Sequence, residues 1–251
     1  NYRYLTVKVT EADLDAAMKS IRALHMKGMN LTMPHKITAI PYLDELSEAA
    51  GIIGAVNTII VKEDGKLLGE NTDGKGFVQA LKNRGITSDQ KKVVILGAGG
   101  AAKAIAVECA LAGAAEVTIY NRTEAKAEAL AEVIRKNTKA DAQGKAWEAG
   151  LAIPEGTDIL INATSIGFSP DITAKPDIDY TTVTSKMVAC DVVFHPAETE
   201  FLKACGATGA TTVNGLGMLA CQGALNFTLW TGVEAPLEVM EQTLRKELEK
   251  Q

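Results

Sequence analysis

Val93-Val94-Ile95-Leu96-Gly97-Ala98-Gly99-Gly100-Ala101-Ala102 is the stretch that decides the fold. Its first four residues run apolar without polar alternation, as expected of a strand buried on both faces of a parallel sheet. The next six fit G-x-G-x-x-A and open an Ala-rich segment, Ala101–Ala112, that predicts a helix. Gly97 permits the tight turn, Gly99 removes a side chain where a pyrophosphate must approach, and Ala102 lets the helix pack close to the strand. Backbone around Ala98, Gly100 and Ala101 then presents N–H groups and partial positive charge to the phosphates. Its place between a buried-type strand and a helix turns a weak motif into a dinucleotide-binding signal.

Reading toward the C-terminus, Glu116–Tyr120 predicts the second strand, and its end discriminates between cofactors. A site for NAD usually places Asp or Glu there, which would repel a 2′-phosphate. Here stands Asn121-Arg122-Thr123, with Lys126 one turn on. Arg122 offers a forked donor suited to phosphate and Thr123 a hydroxyl, which points to NADP. Glu124 leaves NAD open. Beyond lie a helix over Glu124–Lys136, strands at Asp158–Ala163 and Met187–Phe194, a helix near Glu198–Cys205 and a strand at Thr211–Val213. Strands alternating with long helices indicate βαβ units and a doubly wound sheet. Two helices, Leu216–Trp230 and Pro236–Lys250, form the tail.

Reading toward the N-terminus the pattern is different. Asn1-Tyr2-Arg3-Tyr4-Leu5-Thr6-Val7-Lys8-Val9 alternates like a strand rather than a secretory signal. It carries no initiator Met, so the chain is read as beginning inside a longer protein. Thr10 is the expected N-cap of a helix on which Leu14, Met18, Ile21 and Leu24 recur until Gly28. Met29–Met33 predicts a short strand, residues 37–50 a helix broken at Pro41, and Ala55–Lys62 and Lys66–Gly69 a hairpin about Asp64-Gly65. Asp73 precedes a helix, Phe77–Lys82, closed by Gly85. The expectation is therefore an α/β protein of two lobes. Residues 1–73, completed by helices in 215–251, make a small α/β substrate lobe, and residues 74–214 make a Rossmann-type NADP lobe.

Bulk properties exclude several classes. The chain has 251 residues, 47% of them hydrophobic, and a formal charge of −5. No basic stripe offers itself to nucleic acid or to an anionic membrane. No apolar run approaches the length needed to span a bilayer. Cys109, Cys190, Cys205 and Cys221 form neither a CxxC pair nor a Cys/His cluster, so no metal is expected. They read as buried, reduced thiols of a cytoplasmic protein.

Three stretches of the first lobe hold polar residues that a mere core would not want: Asn30-Leu31-Thr32-Met33-Pro34-His35-Lys36, Asn57-Thr58 in an apolar strand, and Glu70-Asn71-Thr72-Asp73-Gly74. Asn57 is the most telling, because a buried amide is costly unless something bonds it. Together they resemble the shikimate dehydrogenase family, whose N-x-T-x-P-x-K, A-V-N-T and N-T-D-G signatures stand at Asn30–Lys36, Ala55–Thr58 and Asn71–Gly74. Asn162-Ala163-Thr164-Ser165-Ile166-Gly167 and Gly215-Leu216-Gly217-Met218-Leu219, with Gln222, are similar to two more. The resemblance implies NADPH-dependent, reversible reduction of a cyclic ketone such as 3-dehydroshikimate. It implies Lys36 and Asp73 as the catalytic pair, and Thr32, Asn57 and Gln222, with Asp73, as holders of the ring hydroxyls. Thr164, Ser165 and Val192 would lie near the cofactor, Gly215 and Met218 near its nicotinamide.

Two departures bear on the substrate. The family's Ser-x-Ser element, which binds the substrate carboxylate, precedes the matched region and is not in this chain. Phe194, in Asp191-Val192-Val193-Phe194-His195-Pro196, stands where many relatives carry a substrate-facing Tyr. The segment Gly223–Gly232 is similar to the quinate/shikimate branch, so quinate oxidation with NAD or NADP is the variant reading. A non-catalytic pathway sensor is the reading from another class, and retention of both Lys36 and Asp73 speaks against it. The expected partner is a small molecule, and the chain a monomer or homodimer.

Overall fold

Leu14, Met18 and Ile21 fall on one side of a helix, and they are the residues that helix α1 (Leu14–Ala23) buries. The computed structural model describes residues 2–248 and Lys250. The chain divides into two units, Asn1–Asn71 with Thr228–Val233 and Thr72–Phe227 with Glu234–Gln251.

In the first unit α1 is followed by β1 (Gly28–Asn30), α2 (His35–Thr38), β2 (Glu45–Leu46), α3 (Glu48–Ile53), β3 (Thr58–Val61) and β4 (Leu67–Glu70). The sheet order is β1-β3-β4-β2, with β1–β3 and β3–β4 antiparallel and β2 parallel to β4. Gly65, at φ 80°, turns the hairpin expected at Asp64-Gly65. Met18, Ile21, Val56, Ile59 and Leu67 form the core beneath it. Trp230 lies against this sheet, its indole N–H donating to the Ile59 carbonyl at 2.9 Å. A Cβ on Gly28 would come within 2.0 Å of that nitrogen, so the strand needs glycine there.

Three expectations for this unit are corrected. Asn1 lies outside the described residues, and residues 2–9 form no strand. Tyr2, Tyr4, Leu5 and Val7 stay exposed. Alternation sets the faces of a strand, but pairing also needs a neighbour's backbone groups, and β1 pairs with β3 alone. Thr10 does not cap a helix. A 3₁₀ turn, Glu11–Asp13, intervenes, and the Thr10 hydroxyl bonds the Asp13 carboxylate at 2.6 Å. The broken helix over 37–50 is instead α2, a 3₁₀ turn at Ile40–Tyr42, β2 and α3. Backbone bonds from Asp44 to Leu67 and from Ser47 to Gly69 draw this segment onto the edge of β4, and the Ser47 hydroxyl caps α3 by accepting from Ala50 N–H.

The second unit begins with α4 (Thr72–Lys82), which starts earlier than expected and takes Asp73 into its first turn. Then come β5 (Lys92–Leu96), α5 (Gly100–Leu111), β6 (Glu116–Asn121), α6 (Glu124–Asn137), β7 (Asp141–Ala146), β8 (Leu151–Ala152), β9 (Ile159–Asn162), β10 (Ile178–Asp179), β11 (Val188–Asp191), α7 (Glu200–Ala207), β12 (Thr211–Val213), α8 (Leu216–Thr231) and α9 (Leu237–Leu248). Glu249, within the expected last helix, lies outside the described residues. Six parallel strands lie in the order β12-β11-β9-β5-β6-β7, while β8 and β10 pair separately. The chain thus winds outward from β5 in both directions, leaving a crevice at the carboxyl ends of β5 and β9.

Both faces of β5 are covered, as its unbroken apolar run requires. Val94 and Leu96 pack with Leu160, Ala189, Phe201, Leu202 and Cys205. Val93 and Ile95 are buried on the opposite side. Phe201, at 1% exposure, is among the largest side chains in that core. Phe201→Ala should lower unfolding stability by about 3–5 kcal/mol, read as a lower urea midpoint.

Candidate active site

In the first unit, backbone bonds bring Thr32, Lys36 and Asn57 together. Leu31 N–H donates to the Asn57 carbonyl at 2.8 Å, and Val56 N–H to the Lys36 carbonyl at 2.7 Å. Thr32 closes the turn into α2 by accepting from His35 N–H at 2.8 Å, and its side chain is exposed. Asn57 is only 3% exposed and is bonded, as a buried amide must be: its Oδ1 accepts from the Thr58 hydroxyl at 2.9 Å. Asn30 spans the pair by donating to the Asn57 carbonyl and the Thr58 hydroxyl.

In the second unit Asp73 lies half-buried at the start of α4, and close helix packing sets Gln222 beside that helix. A Cβ on Gly76 would fall 2.8 Å from the Gln222 backbone N and 2.9 Å from the Met218 carbonyl. One on Gly74 would strike the Ala104 carbonyl at 2.2 Å, so α5 is equally near. A buried chain of polar groups fixes the register: the Thr72 hydroxyl donates to Asn226 Oδ1 at 2.9 Å, and Asn226 Nδ2 donates to Gln222 Oε1 at 3.2 Å.

At the carboxyl end of β5, Gly97 holds φ 109°, and a Cβ there would lie 2.9 Å from the Ala163 carbonyl. Gly99 occupies the N-cap of α5 without a capping side chain, and a Cβ on Gly99 or Gly100 would meet nothing within 4 Å. The first turn of α5, beside Ala98 and Ala101, is thus unobstructed next to both glycines. That geometry fits a pyrophosphate. Arg122, Thr123 and Lys126 are exposed at the end of β6 and the start of α6, where Asn121 Nδ2 donates to the Thr123 carbonyl at 2.9 Å.

Across the crevice, Thr164 and Ser165 follow β9, Val192 and Phe194 follow β11, and Gly215 and Met218 lie at the start of α8. Gly215 has no room for a side chain, since its Cβ would fall 2.4 Å from the Val192 carbonyl. Phe194 meets Phe168 edge-on, with ring centroids 5.6 Å apart. Two residues here escaped the sequence reading. Asn162 and Asp191 are sealed at the ends of β9 and β11, and Asn162 Nδ2 donates to Asp191 Oδ1 at 3.0 Å. Their signal was a polar residue ending each of two apolar strands. Among the described residues no group of three or more His, Cys, Asp or Glu could hold a metal ion, and no helix is long and apolar enough to cross a membrane.

Three family profiles match: the shikimate dehydrogenase substrate binding domain over residues 1–59, shikimate / quinate 5-dehydrogenase over 79–175, and the shikimate 5'-dehydrogenase C-terminal domain over 215–245. The shikimate dehydrogenase (NADP(+)) of Desulforamulus reducens is 42% identical, the match covering 100% of this chain and 87% of the relative. The ligand-free crystal structure of a 5-ketofructose reductase from Gluconobacter sp. strain CHM43 superposes with a TM-score of 0.93 at 47% identity, covering 97% of this chain and 87% of that one. A shikimate dehydrogenase solved in complex with NADP+ gives 0.85 at 40% identity, covering 96% and 84%.

The four thiols stand apart from this arrangement, all buried. Burial pushes Cys109 and Cys205 up to about 12 and Cys221 to about 11, and raises Cys190 as well. Thiolate, the reactive form, is therefore scarce near pH 8. An aromatic disulfide reagent should label none of the four in the native protein within minutes, and all four after unfolding in guanidinium.

Proposed function

The chain belongs to the shikimate dehydrogenase family, and on that premise we propose that it is an NADP-dependent oxidoreductase reversibly reducing 3-dehydroshikimate to shikimate in aromatic amino-acid biosynthesis. The observation that carries the reading is the occurrence of both halves of the chemistry in one chain. One is a crevice with an open helix N-terminus for the dinucleotide, and the other is Lys36 and Asp73 for proton transfer. In this reading residues 1–73, with residues of 215–251, hold the substrate, and residues 74–214 the cofactor. The protein works in the cytoplasm on a small molecule, as a monomer or homodimer.

NADPH, when bound, supplies the hydride. The protein's share is to bind, orient and move one proton. The Lys36 ammonium gives a proton to the oxygen of the ketone during reduction and, as the free amine, takes it from the hydroxyl during oxidation. Solvent restores the proton balance in each direction. The Asp73 carboxylate accepts a hydrogen bond from the substrate. Thr32, Asn57 and Gln222 fix the ring through its hydroxyls. Arg122, Thr123 and Lys126 would hold the 2′-phosphate, with Asn121 shaping the turn by its bond to the Thr123 carbonyl.

A second substrate is favoured by one finding: the solved structure at 47% identity is a 5-ketofructose reductase. Phe194, packed against Phe168 and lacking a hydroxyl, is compatible with a neutral ketose, on which the same proton pair would act. Initial rates at the reduced nicotinamide band separate the readings. Shikimate and quinate are oxidised with NADP+ or NAD+, and 3-dehydroshikimate and 5-keto-D-fructose are reduced with NADPH. Fastest turnover of the shikimate pair with NADP(H) is expected. Preference for the ketose or for quinate moves the substrate, and turnover of none by a folded protein that binds NADPH favours the sensor.

Two substitutions probe the roles. Lys36→Ala should cut kcat by about 10²–10⁴-fold with much less change in KM. Near-normal kcat would remove Lys36 from proton transfer. Arg122→Ala should raise KM for NADP+ by about 10–100-fold and leave that for NAD+ nearly unchanged, reflecting charge-assisted bonds of about 1.5–3 kcal/mol.

A further inference from the structure

At the ends of β9 and β11 a carboxylate and an amide are buried together where neither strand's apolar run calls for them. Asn162 is 0% exposed and Asp191 1%. Asp191 Oδ1 accepts from Asn162 Nδ2 and from the Val193 N–H, both at 3.0 Å, and its Oδ2 accepts from the Thr199 hydroxyl at 2.6 Å. Asn162 uses its remaining capacity on its own loop. Its Nδ2 also donates to the Ile166 carbonyl at 3.2 Å, and its Oδ1 accepts from the Thr164 hydroxyl at 2.6 Å and the Thr164 N–H at 3.2 Å. A third loop joins through backbone, with the Gly215 N–H donating to the Val193 carbonyl at 3.3 Å. The loops after β9 and β11 are thus tied to one carboxylate, and the start of α8 is tied to the second of them.

We propose that Asp191 is a positioning residue, holding the loops that carry Thr164, Ser165 and Val192 in a single arrangement and so fixing the surface on which the nicotinamide half of the dinucleotide rests. This depends on the reading of the crevice as a dinucleotide site. The strand order supports the assignment of halves. With the phosphates at the β5–α5 turn and the 2′-phosphate at the end of β6, the other mononucleotide lies over β9, β11 and β12. Stability alone does not explain the pair, because apolar residues of similar volume commonly serve a core as well or better. What a carboxylate with three donors adds is direction, since each loop can satisfy it in one geometry only. Burial raises the Asp191 pKa, and hydrogen bonds from Thr199, Val193 and Asn162 oppose that rise.

The test uses the full chain with NADPH as the probe. It compares Asp191→Leu, Asp191→Asn and, as a stability control, Phe201→Ala, all at a temperature where each is folded. Three readouts are taken: the change in nicotinamide fluorescence on binding, the NADPH Kd, and kcat for whichever of 3-dehydroshikimate and 5-keto-D-fructose the parent reduces. Asp191→Leu should lose most of the fluorescence change and about 10–100-fold in kcat, the order expected of a reacting group misplaced by about 1 Å. The Kd, set largely by the phosphates, should move by no more than about threefold. Asp191→Asn keeps an acceptor for Asn162 and Val193 and turns a donor toward the Thr199 hydroxyl, so it should return kcat to within about threefold of the parent. Phe201→Ala should lower Tm and leave fluorescence and kcat unchanged. Should Asp191→Leu fail to fold, Asp191→Ser, which keeps one hydroxyl, carries the same expectation in reduced degree. Parental kcat and fluorescence in the Leu or Ser variant overturn the proposal, as does equal loss in Phe201→Ala. A parent that does not bind NADPH overturns the dinucleotide reading and this inference with it.

Discussion

At the centre of the second unit the backbone of one loop passes against the backbone of another with no side chain between them. Gly97 leaves β5 at φ 109°, and the place of its missing Cβ is 2.9 Å from the Ala163 carbonyl and 3.0 Å from the Thr164 methyl. That approach follows from the pairing of β5 with β9, which sets Leu96 opposite Asn162 and brings the two chains out side by side. From there they diverge. The β5 chain turns into α5, whose open N-terminus faces the crevice, and the β9 chain makes the Thr164 loop. A β-carbon at 97 would press on the Ala163 carbonyl, so the two loops would have to move apart, the helix N-terminus on one side and the Thr164 loop on the other. The glycine therefore sets the distance between the loops that follow β5 and β9.

How much of this could be read in advance depended on how each element earns its place. Val93–Leu96 is apolar on both faces because both faces are covered, so its strand was legible from four residues. Strand β7, Asp-Ala-Gln-Gly-Lys-Ala, was not. It lies at the sheet edge with alternate residues in water, and its polar composition protects an edge while hiding it from a search for apolar runs. Residues 2–9 err in the opposite direction, since their alternation is clear and no pairing follows. Periodicity reports which way side chains point. It says nothing of whether a neighbouring strand is present, and that is a property of the fold.

The site divides along a similar line. Asn57 was conspicuous because an amide within an apolar strand demands a partner, and Thr58 and Asn30 supply the bonds around it. The Gly-rich motif was legible because glycine marks backbone approach, and it does so again at Gly76, where α4 meets Gln222. Asn162 and Asp191 end β9 and β11, whereas the sequence pattern runs these strands on to Ala163 and Phe194 and gives neither residue a partner. They face each other across neighbouring strands in register, a relation that exists only once β9 and β11 are adjacent. A long-range pair of this kind cannot be seen along the chain.

The balance between shared and separable chemistry also constrains the substrate. A dinucleotide site and a proton-transfer group serve any secondary alcohol and its ketone, so neither by itself distinguishes a ring acid from a neutral ketose. Discrimination has to come from groups that read the substituents. Phe194 in place of a tyrosine forgoes one hydrogen bond, a net loss of about 0.5–1.5 kcal/mol, or about tenfold in affinity at most. A carboxylate left wholly without donors would be penalised far more than that, because a buried unpaired charge forfeits its hydration without compensation. One missing hydroxyl is therefore too small a change to exclude a carboxylated substrate, and equally too small to create specificity for an uncharged one. The aromatic pair of Phe168 and Phe194 can therefore only trim a preference that groups answering the substrate's charge must set.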